Sequence, residues 1–212
     1  MFSRPTASLL RYKRVLLAAL ALLISPNIFA DSLSVYTAQG IDTNLLSIPG
    51  RILTNDLTFE QSYFVGLGYL TSIQTPEVLS QVGSFLGASY VTSDIEFVGV
   101  KHHGMQENYE TDIAYSVHLP PAELWFLSVR FGAAMGLSYA WGTPSYEDGP
   151  EGNPERRYRL QNFNNYELEW RHREAQHFSF VTRIHHRSGM YGVIAPRHVG
   201  SNFFTLGLRY AY

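Results

Sequence analysis

The last residues of the chain alternate in a way that few folds accept. From Ser201 to Tyr212, the side chains of Asn202, Phe204, Leu206, Leu208, Tyr210 and Tyr212 fall on one face, and those of Phe203, Thr205, Gly207, Arg209 and Ala211 on the other. A period of two identifies a β-strand. One face is large and apolar, whereas the other carries a charge and small residues. The segments before it repeat the pattern. Phe178, Phe180, Thr182, Ile184, His186 and Ser188 oppose Arg183, His185 and Arg187, and Tyr166, Leu168 and Trp170 oppose Glu167, Glu169 and Arg171. A soluble barrel would bury the apolar stripes and wet the charges. Charged faces that hold both signs suit a filled polar lumen instead, and an apolar face turned outward with a terminal aromatic suits a membrane barrel. A soluble sandwich could also end on an alternating strand, so the terminal strand alone does not separate the two.

The count of strands favours the barrel. Leu33–Ala38, Leu57–Ser72, Ile95–His103, Glu110–His118 and Val129–Trp141, with Leu160–His172, Phe178–Ser188 and Ser201–Tyr212, make eight. The predicted fold is therefore all-β: an eight-stranded antiparallel transmembrane barrel of the outer-membrane type, whose interior is filled by side chains. Residues 73–93 fit no single pattern and accommodate a short helix or a split strand. A turn around Glu174–Gln176 would set Glu167 opposite Arg183. An even strand number puts both ends of the barrel on the periplasmic side and the long polar loop Gly142–Arg157 outside.

The N-terminus reads as targeting and not as fold. Arg4, Arg11, Lys13 and Arg14 precede an apolar run from Val15 to Ile24, and Ala30 lies before Asp31. This is the arrangement of a secretory signal peptide over 1–30, with the barrel domain at 31–212; the apolar run is too short to span a bilayer as a helix. An uncleaved N-terminal anchor is the alternative. Cleavage removes four basic residues and no acid, leaving the exported chain more acidic than the −2 of the whole. Nucleic acid, which wants clustered positive charge, is a poor partner for it. The chain has no cysteine, so disulfides, thiolate metal sites and catalytic thiols are excluded.

His186 and Ser188 are two apart on the otherwise apolar face of their strand, so their side chains project together. The span from Phe178 to Ser188 rises roughly 25 Å at ~3.3 Å per residue and ~40° of tilt, about the height of the apolar band. With Phe178 near the periplasmic boundary, the pair reaches the outer one, where acyl chains meet their ester links. A serine hydroxyl needs a base to become a nucleophile, and histidine is the usual base at neutral pH. Simple interfacial polarity explains the same two residues, and spacing alone favours it.

The segment Arg183-Ile-His-His-Arg-Ser-Gly-Met-Tyr-Gly192, with Gly-Ser-Asn-Phe-Phe-Thr-Leu-Gly-Leu-Arg-Tyr at 200–210, resembles the PagL-like family of outer-membrane lipid A 3-O-deacylases. Val100–Gly104, Gly136–Tyr139 and Asn162–Tyr166 resemble segments of its acyloxyacyl-hydrolase-like branch. The resemblance runs from about residue 94 to the end. It implies an enzyme, a carboxylic ester hydrolase of the bacterial outer membrane, that removes a 3-hydroxyacyl chain from lipid A of lipopolysaccharide without a cofactor. It assigns Ser188 as nucleophile and His186 as base. The family's orienting Glu falls at Asn202, and its Asn after the nucleophile falls at Gly189. The amides of Gly189 and Gly192 are then the expected oxyanion donors, and Asn202→Glu is expected to raise activity. The amide at 202 also leaves open a silent barrel with a structural, adhesion or partner-binding role.

The remaining histidines do not suggest a metal. His102–His103 and His185–His186 are adjacent in strands, so each pair points to opposite faces and cannot chelate together. Arg183, His185 and Arg187 are expected in the lumen, paired with Glu167 and Glu169. Arg197 and His198 are expected in the last external loop. No feature specifies an oligomeric state.

Overall fold

A computed structural model describes residues 30–148, 158–175, 177–197 and 199–212. Residues 1–29, on which the expected signal peptide falls, most of the 142–157 loop, Gln176 and His198 lie outside the described residues. The strands are β1 (Ala30–Ile41), β2 (Phe59–Ile73), β3 (Thr92–Gly104), β4 (Tyr109–His118), β5 (Ala122–Leu124), β6 (Leu127–Trp141), β7 (Leu160–His172), β8 (Phe178–Ser188) and β9 (Gly200–Ala211). Each pairs antiparallel with its neighbour. The ring closes because β1 pairs with β9 and β4 pairs with β6, leaving β5 as a short arm on the edge of β6. Eight strands thus form the wall, as their alternation predicts, and closure leaves no free edge in it.

Among the described residues, two connections hold α-helices. The segment that fits no strand pattern contains α2 (Glu77–Phe85). The loop after β1 contains a second helix, α1 (Ile48–Thr54), which the sequence reading did not foresee. Pro49 sits in its first turn and Asn55 ends it in the left-handed conformation, both usual helix boundaries. The loops after β1, β3, β6 and β8 lie at one end of the barrel. The loop with α2, the β5 arm and the 173–177 turn lie at the other, where β1 starts and β9 finishes.

Alternation sorts the side chains as expected. Along β8, Ser179, Val181, Arg183, His185 and Arg187 are buried inside, and Phe178 and Phe180 are exposed outside. Along β9, Arg209 and Thr205 are inside while Leu206, Leu208 and Tyr210 are outside. The lumen is packed with Phe64, Phe163 and Phe203, and the Arg183 guanidinium lies 4.5 Å from the Tyr36 ring centre. This is a plug, not a pore.

The charged partners inside differ from those expected. Glu167 does stand opposite Arg183 in register. Yet Arg183 bonds Glu96 of β3 at 2.6 Å and is 3.9 Å from Glu167. Glu167 accepts from Arg209 at 2.7 and 2.9 Å and contacts His118 at 3.3 Å. His185 contacts Glu110 at 2.7 Å, and Arg187 bonds Glu147 from the loop after β6. The reason is closure. Residues opposite one another in a hairpin lie side by side on the wall, whereas long arginines reach across the lumen to strands far away in sequence.

Candidate active site

The outward face near the loop-rich end of β7, β8 and β9 is polar where the rest is apolar. His186 and Ser188 both point outward and are half-buried. In the β8–β9 ladder His186 is opposite Asn202 and Ser188 opposite Gly200. Asn202 shares the outward face of β9, and its Oδ1 lies 2.7 Å from His186 Nδ1. On the other side of its amide, Asn202 Nδ2 donates to the Thr43 carbonyl at 2.8 Å. That carbonyl belongs to the loop between β1 and α1, so a residue far away in sequence reaches the site by the closure of β1 onto β9.

The Thr43 contact decides a point of chemistry. A backbone carbonyl can only accept, so it holds Nδ2 toward itself and turns Oδ1 toward the imidazole. An amide oxygen can also only accept, so His186 must carry its proton on Nδ1. The lone pair is then on Nε2, the tautomer that a general base needs. An amide that replaces the carboxylate of a serine protease triad costs ~10⁴ in kcat because it holds the wrong tautomer. Here the loop carbonyl removes that cause.

Among the described residues, Ser188 Oγ makes no hydrogen bond to His186. The two are nevertheless on one face at adjacent outward positions, and catalytic hydrogen bonds commonly tighten only when substrate is bound.

The two glycines expected to bind an oxyanion have their amides engaged. Gly189 N–H donates to the Val199 carbonyl at 3.3 Å, and Gly192 N–H donates to the Gly189 carbonyl at 3.2 Å. The turn after β8 is closed so tightly that its own backbone uses these donors. A Cβ at Gly189 would come within 2.2 Å of the Ala195 carbonyl oxygen, so the residue is glycine for space. Gly200 has φ +138, and a Cβ there would meet the Arg187 carbonyl oxygen at 2.0 Å. Both glycines therefore shape the end of β8 around Ser188.

The sequence reading missed two residues. Asn162 and Asn164 of β7 stand opposite Ser188 and His186 in the β7–β8 ladder. They have the outward parity of Leu160 and Tyr166, but are only 4% and 7% exposed. Asn164 Nδ2 donates to Asn162 Oδ1 at 2.6 Å, and Asn162 Nδ2 donates to the Gly136 carbonyl at 2.9 Å. The available signal was their place in the alternation: two amides on a stripe that is otherwise Leu160, Tyr166, Leu168 and Trp170.

In the lumen beneath, Glu110, Asp112 and His185 bring ligand atoms within 4.8 Å of one another, a grouping that no spacing in the sequence suggested. Glu110 already accepts from His102 and His185, and Arg187 Nε lies 3.5 Å from it. The guanidinium makes this an ion-pair network hostile to a further cation. Above the strands, burial pushes the Glu147 carboxyl above the usual carboxylate range, although the Arg187 guanidinium pulls it the other way. Glu147 also accepts from Gln161 and Ser201, which ties its loop to the lumen end. Of the loop residues, Arg197 is exposed and donates to the Tyr191 carbonyl at 3.3 Å.

The closed ring, its polar plug and its apolar exterior define an outer-membrane-type β-barrel. No family model matches the chain, and no curated protein does. Among solved structures it is similar to the outer membrane enzyme PagL, with a TM-score of 0.51 and 9% identity, over 84% of this chain and 98% of that one. At that identity the likeness is one of fold.

Proposed function

We propose that this barrel is a serine esterase of the bacterial outer membrane that removes a 3-hydroxyacyl chain from lipid A. The observation that supports this most is the outward-facing His186, held by Asn202 in the base-competent tautomer, two positions from Ser188. The fold shared with an outer membrane enzyme and the motif around Ser188 point the same way.

In the reaction, Ser188 Oγ attacks the ester carbonyl carbon while its proton passes to His186 Nε2. The carbonyl electron pair moves onto oxygen to give the tetrahedral oxyanion. When that intermediate collapses, the bond to the sugar oxygen breaks and His186 returns the proton to it. Water, deprotonated by His186, then attacks the acyl carbon; the bond to Ser188 Oγ breaks, the fatty acid leaves and His186 returns the proton to Oγ. Asn202 orients the imidazole throughout but stabilises its positive form less than a carboxylate would. The outward position suits a substrate that arrives through the outer leaflet, with its ester links at the level of β8's end.

A catalytically silent barrel with a structural, adhesion or partner-binding role is the second reading, and the engaged amides of Gly189 and Gly192 favour it. The two are separated by producing the protein in a host with hexa-acylated lipid A and weighing that lipid by mass spectrometry. Loss of one 3-hydroxyacyl chain, absent with Ser188→Ala, is the expected result. Unchanged lipid A with the folded protein in the membrane would leave only the silent barrel.

A further inference from the structure

We infer that Asn164 is the oxyanion donor of this site, with Asn162 as the residue that aims it. The inference rests on the esterase reading and supplies what that reading lacks, since the loop amides are engaged. The argument begins from cost. An uncompensated amide moved into an apolar environment is disfavoured by several kcal/mol on hydrocarbon scales, and these two stand on the stripe of β7 that is otherwise aromatic or aliphatic. They are covered rather than wet, at 4% and 7% exposure. Interfacial polarity explains exposed polar groups at a strand's end, but not two buried ones.

Their orientation is fixed by a chain of one-way hydrogen bonds. The Gly136 carbonyl can only accept, so it holds Asn162 Nδ2 toward β6. Asn162 Oδ1 is thereby turned away from Gly136 and accepts from Asn164 Nδ2 at 2.6 Å. The nitrogen of Asn164 is drawn along β7 toward Asn162, whose register partner is Ser188, while Asn164 itself is opposite His186. Directly opposed side chains have Cβ atoms ~5 Å apart and diagonal ones ~7–8 Å. The amide nitrogen therefore sits within the four-residue group that includes both the proposed nucleophile and its base. An amide nitrogen carries two hydrogens. One goes to Asn162, and among the described residues the second has no protein acceptor. A carbonyl oxygen that becomes negative as Ser188 adds to its carbon is a suitable acceptor for it.

The test measures kcat and KM on the purified full-length barrel in detergent, with the p-nitrophenyl ester of a ten-carbon acid as the probe. Asn164→Leu, close in size and without a donor, should lower kcat ~10²–10³-fold, the usual cost of one oxyanion donor, and leave KM nearly unchanged. Asn164→Asp, which has no donor for either the oxyanion or Asn162, should do the same, with KM again nearly unchanged. Asn164→Gln, which keeps an N–H donor, should recover part of the rate. Asn162→Leu should lower kcat by a smaller factor, because it disorients the donor without removing it. A purely structural role would instead change heat-modifiable gel mobility in step with activity. If the wild type hydrolyses the ester and Asn164→Leu and Asn164→Asp stay within threefold of it, or change only KM, the inference is overturned while the esterase stands. A folded wild type without hydrolysis overturns both.

Discussion

Replacing Asn202 with Leu removes both contacts of the amide at once. His186 Nδ1 loses its acceptor at 2.7 Å, and the Thr43 carbonyl loses its donor at 2.8 Å. Each hydrogen bond has a net worth of about 1 kcal/mol, so the folded barrel should lose ~2 kcal/mol and remain folded. Activity should suffer more. Release of the ring allows the proton to settle on Nε2, the atom that must be free to receive the serine proton. The loss of a single orienting bond sets a floor of ~5-fold, and a wholly wrong tautomer sets a ceiling of ~10⁴; we expect kcat to fall ~10²-fold. Asn202→Asp and Asn202→Glu separate the two halves of the contact. A carboxylate still accepts from Nδ1 and stabilises the imidazolium, so activity should rise above wild type. It also turns an oxygen toward the Thr43 carbonyl, so the urea midpoint should fall. The assay is release of p-nitrophenol beside urea unfolding followed by heat-modifiable mobility. Asn202→Leu with more than half of wild-type kcat would refute the tautomer argument, since the Asn202 oxygen is the acceptor assigned to hold the proton on His186 Nδ1.

Three other predictions concern the frame. Glu96→Gln keeps an acceptor but leaves the buried Arg183 without the carboxylate charge at 2.6 Å, and should destabilise the barrel by ~3–5 kcal/mol in urea titration; Glu96→Leu combined with Arg183→Met should recover most of that loss. Gly200→Ala forces a side chain to φ +138 and against the Arg187 carbonyl; its unfolding midpoint should fall, and esterase activity should fall with it because the strand end that carries Ser188 is displaced. The chain has no cysteine, so single cysteines report topology cleanly. On intact cells, Val193→Cys in the exposed loop after β8 should react with a membrane-impermeant maleimide, and Ser84→Cys in α2 should react only after lysis; the opposite pattern would invert the barrel.

The wall of this barrel was legible because each strand has to satisfy two solvents at once. Phe178, Phe180 and Ile184 against Arg183, His185 and Arg187 is a pattern that only one register and one facing accommodate. The placement of His186, Ser188 and Asn202 on one outward surface follows from that parity. What closure brings together was not legible. Glu96 meeting Arg183, Glu147 meeting Arg187 and Thr43 meeting Asn202 are contacts across the ring or between its first and last strands, and no local period encodes them. The engagement of the loop amides was not legible either, because a glycine marks where backbone can approach closely without saying whether that backbone already has partners. Asn162 and Asn164 were overlooked for the opposite reason: amides interrupting an apolar stripe resemble an ordinary strand end until their burial is known. Helix α1 escaped notice because seven residues are too few for a helical period to stand out.

The central claim, that an outward serine is made nucleophilic by the imidazole beside it, is tested most directly by covalent labelling. A long-chain fluorophosphonate, incubated with the folded barrel and mapped by peptide mass spectrometry, should modify Ser188, and His186→Ala should abolish that label while the barrel still migrates as folded. Folded wild-type protein that stays unlabelled, or that carries the label on another residue, would contradict it.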